Sequence, residues 1–156
     1  METFLVVGLG NPGSRYANTR HNAGTDFVHM LCEKYDVELT EKKKYKASIG
    51  KFLLKDMEVI LSIPTLFMNQ SGKSVAPTVK GENIKLKNLL VVHDDLDLPP
   101  GVSKLKFSGG DGGHNGLKDI MQSLSGKKDF KRLRIGIGHA GCLLYTSDAA
   151  DESVRV

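Results

Sequence analysis

Residues 4–13, Phe4-Leu5-Val6-Val7-Gly8-Leu9-Gly10-Asn11-Pro12-Gly13, decide how this chain starts to fold. A short, unbroken apolar run that ends in closely spaced glycines and a proline reads as a buried strand feeding a tight loop. The same stretch fits G-x-G-x-x-G after a strand, the pattern of a dinucleotide-binding turn. That pattern also needs its third glycine to open a helix, and an acidic residue about 20 positions on at the end of the next strand. Here Pro12-Gly13-Ser14 opens an irregular polar stretch, and Asp36, at about the right distance, follows a predicted helix. The turn therefore counts as a loop whose exposed polar residue is Asn11.

Working outward, Asn22 offers an N-cap, and Phe27, Val28, Leu31, Cys32 and Tyr35 recur at helical spacing, predicting a helix over Ala23–Tyr35. Lys42-Lys43-Lys44 reads as a solvated connector. Residues 48–54 and 58–63 are strand-like runs separated by Lys55-Asp56, which predicts an antiparallel hairpin stopped by Pro64. Residues 70–80 predict a helix bent by Pro77. Residues 89–92 form another buried strand that runs into His93-Asp94-Asp95-Leu96-Asp97, and residues 104–108 alternate as an edge strand does. Leu117, Ile120, Met121 and Leu124 then give a helix at i, i+3, i+4, i+7, and residues 132–137 close the pattern as a last strand. Strands alternating with helices around one hairpin predict the α/β class: a single three-layer domain whose mixed, mostly parallel sheet is flanked by helices.

Composition agrees. A chain of 156 residues, 40% hydrophobic and 26% charged, has the length of one domain and the usage of a globular protein, which excludes disorder, collagen and coiled coil. The apolar runs fall far short of the roughly 18–20 residues of a membrane span. Met1-Glu2-Thr3 opens no secretory signal, so the expectation is a cytoplasmic protein with no membrane contact. Cys32 and Cys142 give neither a disulfide framework nor metal-ligand spacing, and read as inert thiols. The net charge of +4 is unevenly spread: residues 101–140 carry +5 and the remainder −1. A basic quarter of the chain is a footprint for a polyanion or a solvated lysine-rich surface.

Five stretches could carry chemistry. The Asn11 loop is the first, and Thr19-Arg20-His21-Asn22-Ala23-Gly24 is the second, with a histidine at a loop-to-helix junction where its imidazole can act as a base. His93-Asp94-Asp95 ends a strand, where α/β sheets gather ligands, and one carboxylate there could fix a histidine's tautomer. Residues 109–116, Gly-Gly-Asp-Gly-Gly-His-Asn-Gly, open a helix whose free N–H groups would favour an anion or a developing oxyanion. Phe67-Met68 beside Asn69 suggests a small apolar pocket with an amide rim, although the core is the expected place for Phe67. No G-x-S-x-G elbow and no histidine-paired cysteine is present, so hydrolysis by an activated water is favoured over a covalent nucleophile.

In this order, and together with Arg132-Leu133-Arg134-Ile135-Gly136-Ile137-Gly138-His139, these stretches resemble the bacterial peptidyl-tRNA hydrolase family over about residues 3–139. The resemblance implies an enzyme that cleaves the ester between a peptide and the 3′ end of tRNA, recycling tRNA from chains abandoned in translation. It implies no cofactor and no metal, a monomer, and contact with the acceptor stem and 3′ end of peptidyl-tRNA. Transferred onto this sequence, His21 would be the general base and Asp94 its orienting carboxylate. Asn11 and Asn69 would hold the peptidyl backbone, with Met68 on the same wall and Tyr16 at the mouth of the site. Asn115 would hold the water or the oxyanion, and Asn22 and His114 would support the substrate site. Lys104, Lys106 and Arg134 would clamp tRNA phosphate. A non-catalytic tRNA- or RNA-binding relative of the same fold is the alternative. After His139 the family continues through Pro-Gly into further helices, whereas Ala140-Gly141 here leads into an unrelated Cys142-Leu143-Leu144-Tyr145 and onward. The expectation is a family domain over residues 1–141 lacking its C-terminal helices, with residues 142–156 a non-family tail from a truncated or artefactual 3′ end.

Overall fold

The computed structural model describes residues 1–12 and 22–138; Tyr16, His21, His139 and the tail after it lie outside them. The elements run β1 (Glu2–Gly8), α1 (Ala23–Tyr35), β2 (Thr40–Lys42), β3 (Ala47–Leu54), β4 (Met57–Pro64), α2 (Gly72–Gly81), β5 (Leu89–Asp95), β6 (Ser103–Phe107), α3 (Asn115–Ser123) and β7 (Lys131–Gly136). They form one seven-stranded sheet in the order β2-β3-β4-β1-β5-β7-β6. The four central strands are parallel, and an antiparallel strand or pair closes each side.

The parallel strands are unbroken apolar runs because both faces are covered. On one face Leu5, Val7, Ile60, Leu89 and Val91 pack with Val75 of α2 and with Leu117 and Ile120 of α3. On the other, Val28 of α1 packs with Val59 and Leu61, and Val6, Leu31 and Cys32 border them. Burial raises the Cys32 thiol pKa, in keeping with an unreactive side chain. Residues predicted as helix and hairpin fold so: α1 has the expected bounds, and Lys55, at φ 57°, turns β3 back into β4.

Four expectations change. Lys42-Lys43-Lys44 is not mere connector: Lys42 ends the edge strand β2, and Lys43–Tyr45 is a 3₁₀ turn. Its polar residues hid it, since an exposed edge strand needs no apolar face. The helix expected from residue 70 begins at Gly72, preceded by a 3₁₀ turn over Met68–Gln70, and Pro77 lies inside it. Phe67 is 54% exposed rather than in the core. Arg132, counted with the basic face, is buried: its guanidinium lies over the Phe130 ring and donates to the carbonyls of Gly110 (2.8 Å), Lys128 (2.8 Å) and Phe130 (3.3 Å). Its charge is spent inward, tying the glycine-rich loop to the α3–β7 connection.

The seat of α1 requires glycine. A Cβ on Gly24 would stand 2.2 Å from the Val92 carbonyl oxygen and 2.5 Å from the Leu9 nitrogen, both backbone, and one on Gly8 would stand 2.3 Å from the Gly24 oxygen. Helix and sheet therefore touch backbone to backbone here. Replacing Gly24 with Ala is expected to cost about 2–3 kcal/mol, read as a lower urea midpoint with an unchanged m-value.

Candidate active site

The seat of α1 puts the carboxyl ends of β1 and β5 and the first residue before α1 side by side. The Leu9 N–H donates to the Val92 carbonyl at 3.0 Å, extending the β1–β5 pairing toward the loop. Asn22 is nine-tenths buried, but its side chain makes no cap bond to α1. Its Oδ1 accepts the Asn11 N–H at 3.0 Å instead, and Gly10 leaves the room, because a Cβ there would stand 2.6 Å from that oxygen. The expected cap is thus spent on holding the Asn11 loop. Asn11 in turn accepts the Met68 N–H on its Oδ1 at 2.8 Å. With that oxygen committed, the part of the amide available to a ligand is its NH2, a donor suited to a carbonyl. Met68 and Asn69 follow in the 3₁₀ turn, with Asn69 exposed.

Leu9, Met68 and His114 converge on Gly116. A Cβ there would stand 2.9 Å from Leu9 Cδ1, 2.9 Å from Met68 Sδ and 3.0 Å from His114 Cε1. Asn11, Met68 and α3 therefore share one corner above the carboxyl ends of the strands, where open α/β sheets bind ligands.

Asp94 is buried near the end of β5, and its Oδ1 lies 2.9 Å from His114 Nε2. The second ring nitrogen of His114, Nδ1, accepts the N–H groups of Gly116 (3.1 Å) and Leu117 (3.2 Å). Both nitrogens are thus engaged inside the protein. The Gly113 N–H goes to Asp111 Oδ1 and the His114 N–H to the Asp111 carbonyl. The glycine-rich loop thus spends the N–H groups of Gly113 and His114 on Asp111, and Asn115 stands exposed at the first position of α3.

His93 packs edge-on against His114, with ring centroids 4.7 Å apart. Its Nδ1 donates to the Asp94 carbonyl at 2.7 Å, and burial, with the neighbouring His114 second, lowers its pKa to about 4. Its Nε2 is buried without a partner among the described residues, beside a cavity of about 290 Å³ lined by Lys106, Gly110, Asp111, Leu117, Arg132 and Arg134. The β6–β7 register sets Lys104 opposite Arg134 and Lys106 opposite Arg132, on one face of the sheet. Arg134 donates from Nε to Asp95 Oδ2 at 2.7 Å. Burial works against the Asp95 carboxylate, but the Asp97 N–H and Arg134 outweigh it and hold its pKa below the usual range. The exposed cations of this face are therefore Lys104 and Lys106, with Arg134 half-buried beside them. Among the described residues no group of three or more His, Cys, Asp or Glu could hold a metal ion, and no helix is long and apolar enough to cross a membrane.

The family model described as peptidyl-tRNA hydrolase matches residues 5–150. The chain belongs to the peptidyl-tRNA hydrolase family. It is 55% identical over 137 residues to the peptidyl-tRNA hydrolase of Tolumonas auensis and 52% identical to that of Pseudoalteromonas translucida, covering 88% of this chain and 70% and 71% of those proteins. A crystal structure of peptidyl-tRNA hydrolase from Acinetobacter baumannii superposes with a TM-score of 0.88 at 42% identity, over 97% of this chain and 81% of that one. Family membership removes the dinucleotide-binding reading of the Gly8 turn, and relatives this similar carry the name of an enzyme. Of the residues singled out in the sequence, the structure brings Asn11, Asn22, Met68, Asp94 and His114 to one corner and Lys104, Lys106 and Arg134 to one face. Sequence reading missed the cap on α3 by His114, the inward use of Arg132 and the Asp95–Arg134 pair.

His93 gives this site a pH signature. An imidazole with a folded pKa of about 4 and an unfolded value near 6.5 binds fewer protons when folded, so it destabilises the fold as pH falls through that window. Stability is expected to be fully present above pH 6.5 and to drop by up to about 3 kcal/mol by pH 4. Urea unfolding across that range checks it: His93→Gln flattens this part of the curve.

Proposed function

We propose that this chain hydrolyses the ester joining a peptide to the 3′ end of tRNA, in the cytoplasm and as a monomer. The observation that carries the reading is the buried Asp94 carboxylate near the end of β5, bonded to His114, whose ring meets Met68 of the Asn11–Met68 bridge at Gly116. In the proposed step His21 takes a proton from water as its oxygen attacks the ester carbonyl. Asp94 orients the imidazole and steadies its charged form. Asn115 donates to the tetrahedral oxyanion, and collapse breaks the ester C–O bond, the departing ribose oxygen taking the proton from His21; the peptide's new carboxylic acid then loses its remaining proton to solvent. A base contributes about 10²–10⁴-fold and one oxyanion donor about 10²–10³-fold, which suits an activated ester.

Asn11 and Asn69 would bind the peptide backbone, with Met68 against it, Tyr16 at the mouth, and Asn22 and His114 bracing the site. A substrate lacking that peptide group leaves the amides unpaired, which selects peptidyl over aminoacyl esters. Lys104, Lys106 and Arg134 would meet phosphates of the acceptor stem and 3′ end. Their shared face supports this.

The decisive test is turnover of peptidyl-tRNA. His21→Ala should lower kcat at least 100-fold while tRNA binding persists; an unchanged kcat overturns the assigned base. Wild-type chain that binds tRNA but shows no turnover favours the non-catalytic reading. For the basic face, Lys106→Ala should weaken tRNA binding and reduce the slope of log affinity against log salt by about 0.7–0.9. Filter binding at four salt concentrations measures it.

A further inference from the structure

We infer that His114 is a positioning residue: it joins the N-terminus of α3 to Asp94 and, by capping the helix with Nδ1, fixes the imidazole as the neutral tautomer that donates to that carboxylate. The inference deepens the proposed reaction and rests on the assignment of Asp94 within it. Five atoms carry it. Nδ1 accepts the N–H groups of Gly116 and Leu117, so it bears no proton. A neutral ring with Nδ1 bare has its proton on Nε2, which points at Asp94 Oδ1, 2.9 Å away.

A histidine in the N-cap position is unusual, since Ser, Thr, Asp and Asn lead there. Those short side chains could satisfy the helix but not reach a second partner, whereas the imidazole does both from opposite sides of one rigid ring. Gly116 makes this possible by leaving the space against His114 Cε1 that any Cβ would fill. The ring is further pinned by the edge of His93. Two N–H groups face Nδ1, so its lone pair is committed to the helix terminus. The carboxylate thus receives a donor of fixed position whose rotation is locked by secondary structure, and Asn115, the next residue, is held in the same register.

Two measurements on the full chain test this. Long-range ¹H–¹⁵N NMR of the histidine rings at neutral pH should show His114 protonated at Nε2 only; protonation at Nδ1, alone or together with Nε2, overturns the cap. His114→Asn keeps an N-cap acceptor but cannot span to Asp94, so the thermal midpoint should change little and KM for peptidyl-tRNA should hold. Without its donor Asp94 becomes more basic and grips the imidazolium of the base more tightly. The acidic limb of the kcat/KM profile should then rise by about 0.4–1 pH unit, with kcat at pH 6 lower by about twofold to tenfold. A profile and kcat like those of the wild type overturn the positioning role, even if the tautomer is as expected. A lower thermal midpoint with an unmoved acidic limb marks a structural role only and also overturns it. Should wild-type chain show no hydrolysis at all, the reaction reading fails, and the NMR result stands apart from it.

Discussion

The first turn of α1 lies against the backbone of the sheet with no side chain between them. Gly24 is so close to the Val92 carbonyl and the Leu9 amide that the helix cannot retreat by the thickness of one methyl group without losing the arrangement above it. That approach fixes where α1 begins, and hence where Asn22 stands. It also presses the loop after β1 toward the end of β5. From Asn22 a chain of main-chain donors and side-chain acceptors runs to Asn11 and on to Met68. Each link holds the next because each uses an atom that cannot be spared elsewhere: a buried N–H must find an acceptor, and an amide oxygen is the one on offer.

A second chain converges from the other side of the corner. Arg132 pulls the carbonyls of Gly110 and Lys128 together from beneath, and Asp119 of α3 accepts the Gly72 N–H at 2.7 Å, which binds the two helices of that face where they come closest. A carboxylate at the start of α2 also suits the positive end of its dipole. The glycine-rich loop is thus anchored at both ends while its middle stays free of clashes, since Gly110, Gly112 and Gly113 have open space around them. Rigid supports with a clear opening between them are what a site needs if its groups are to be in place before the substrate arrives.

Much of this was legible in the residues. The apolar period of α1 and the two-residue break between β3 and β4 are local signals, and they gave correct elements because burial on one face leaves a period in the sequence. Thr40–Lys42 escaped notice because an exposed edge leaves none. Strand β5 runs three residues past its apolar stretch, since His93, Asp94 and Asp95 stay paired with Arg134, Ile135 and Gly136 of β7. The candidate site residues stood out by type and company, but their couplings did not. Nothing in the order of residues says that Asn22 turns away from its own helix, that His114 caps α3, or that Arg132 points inward. Those choices depend on which neighbours the fold brings within about 3 Å of a given atom, and such neighbours are distant in the chain.

The Asn11 side chain has one more implication. Because its oxygen is held by the Met68 N–H, the amide cannot flip end for end, and it meets any visitor with hydrogens only. A strand of peptide laid across it must therefore present a carbonyl at that point. The same strand running the opposite way would bring N–H against N–H. A single pinned amide is enough to give the corner a sense of direction, so that the order in which a polypeptide's ends enter becomes as much a condition of fit as its shape.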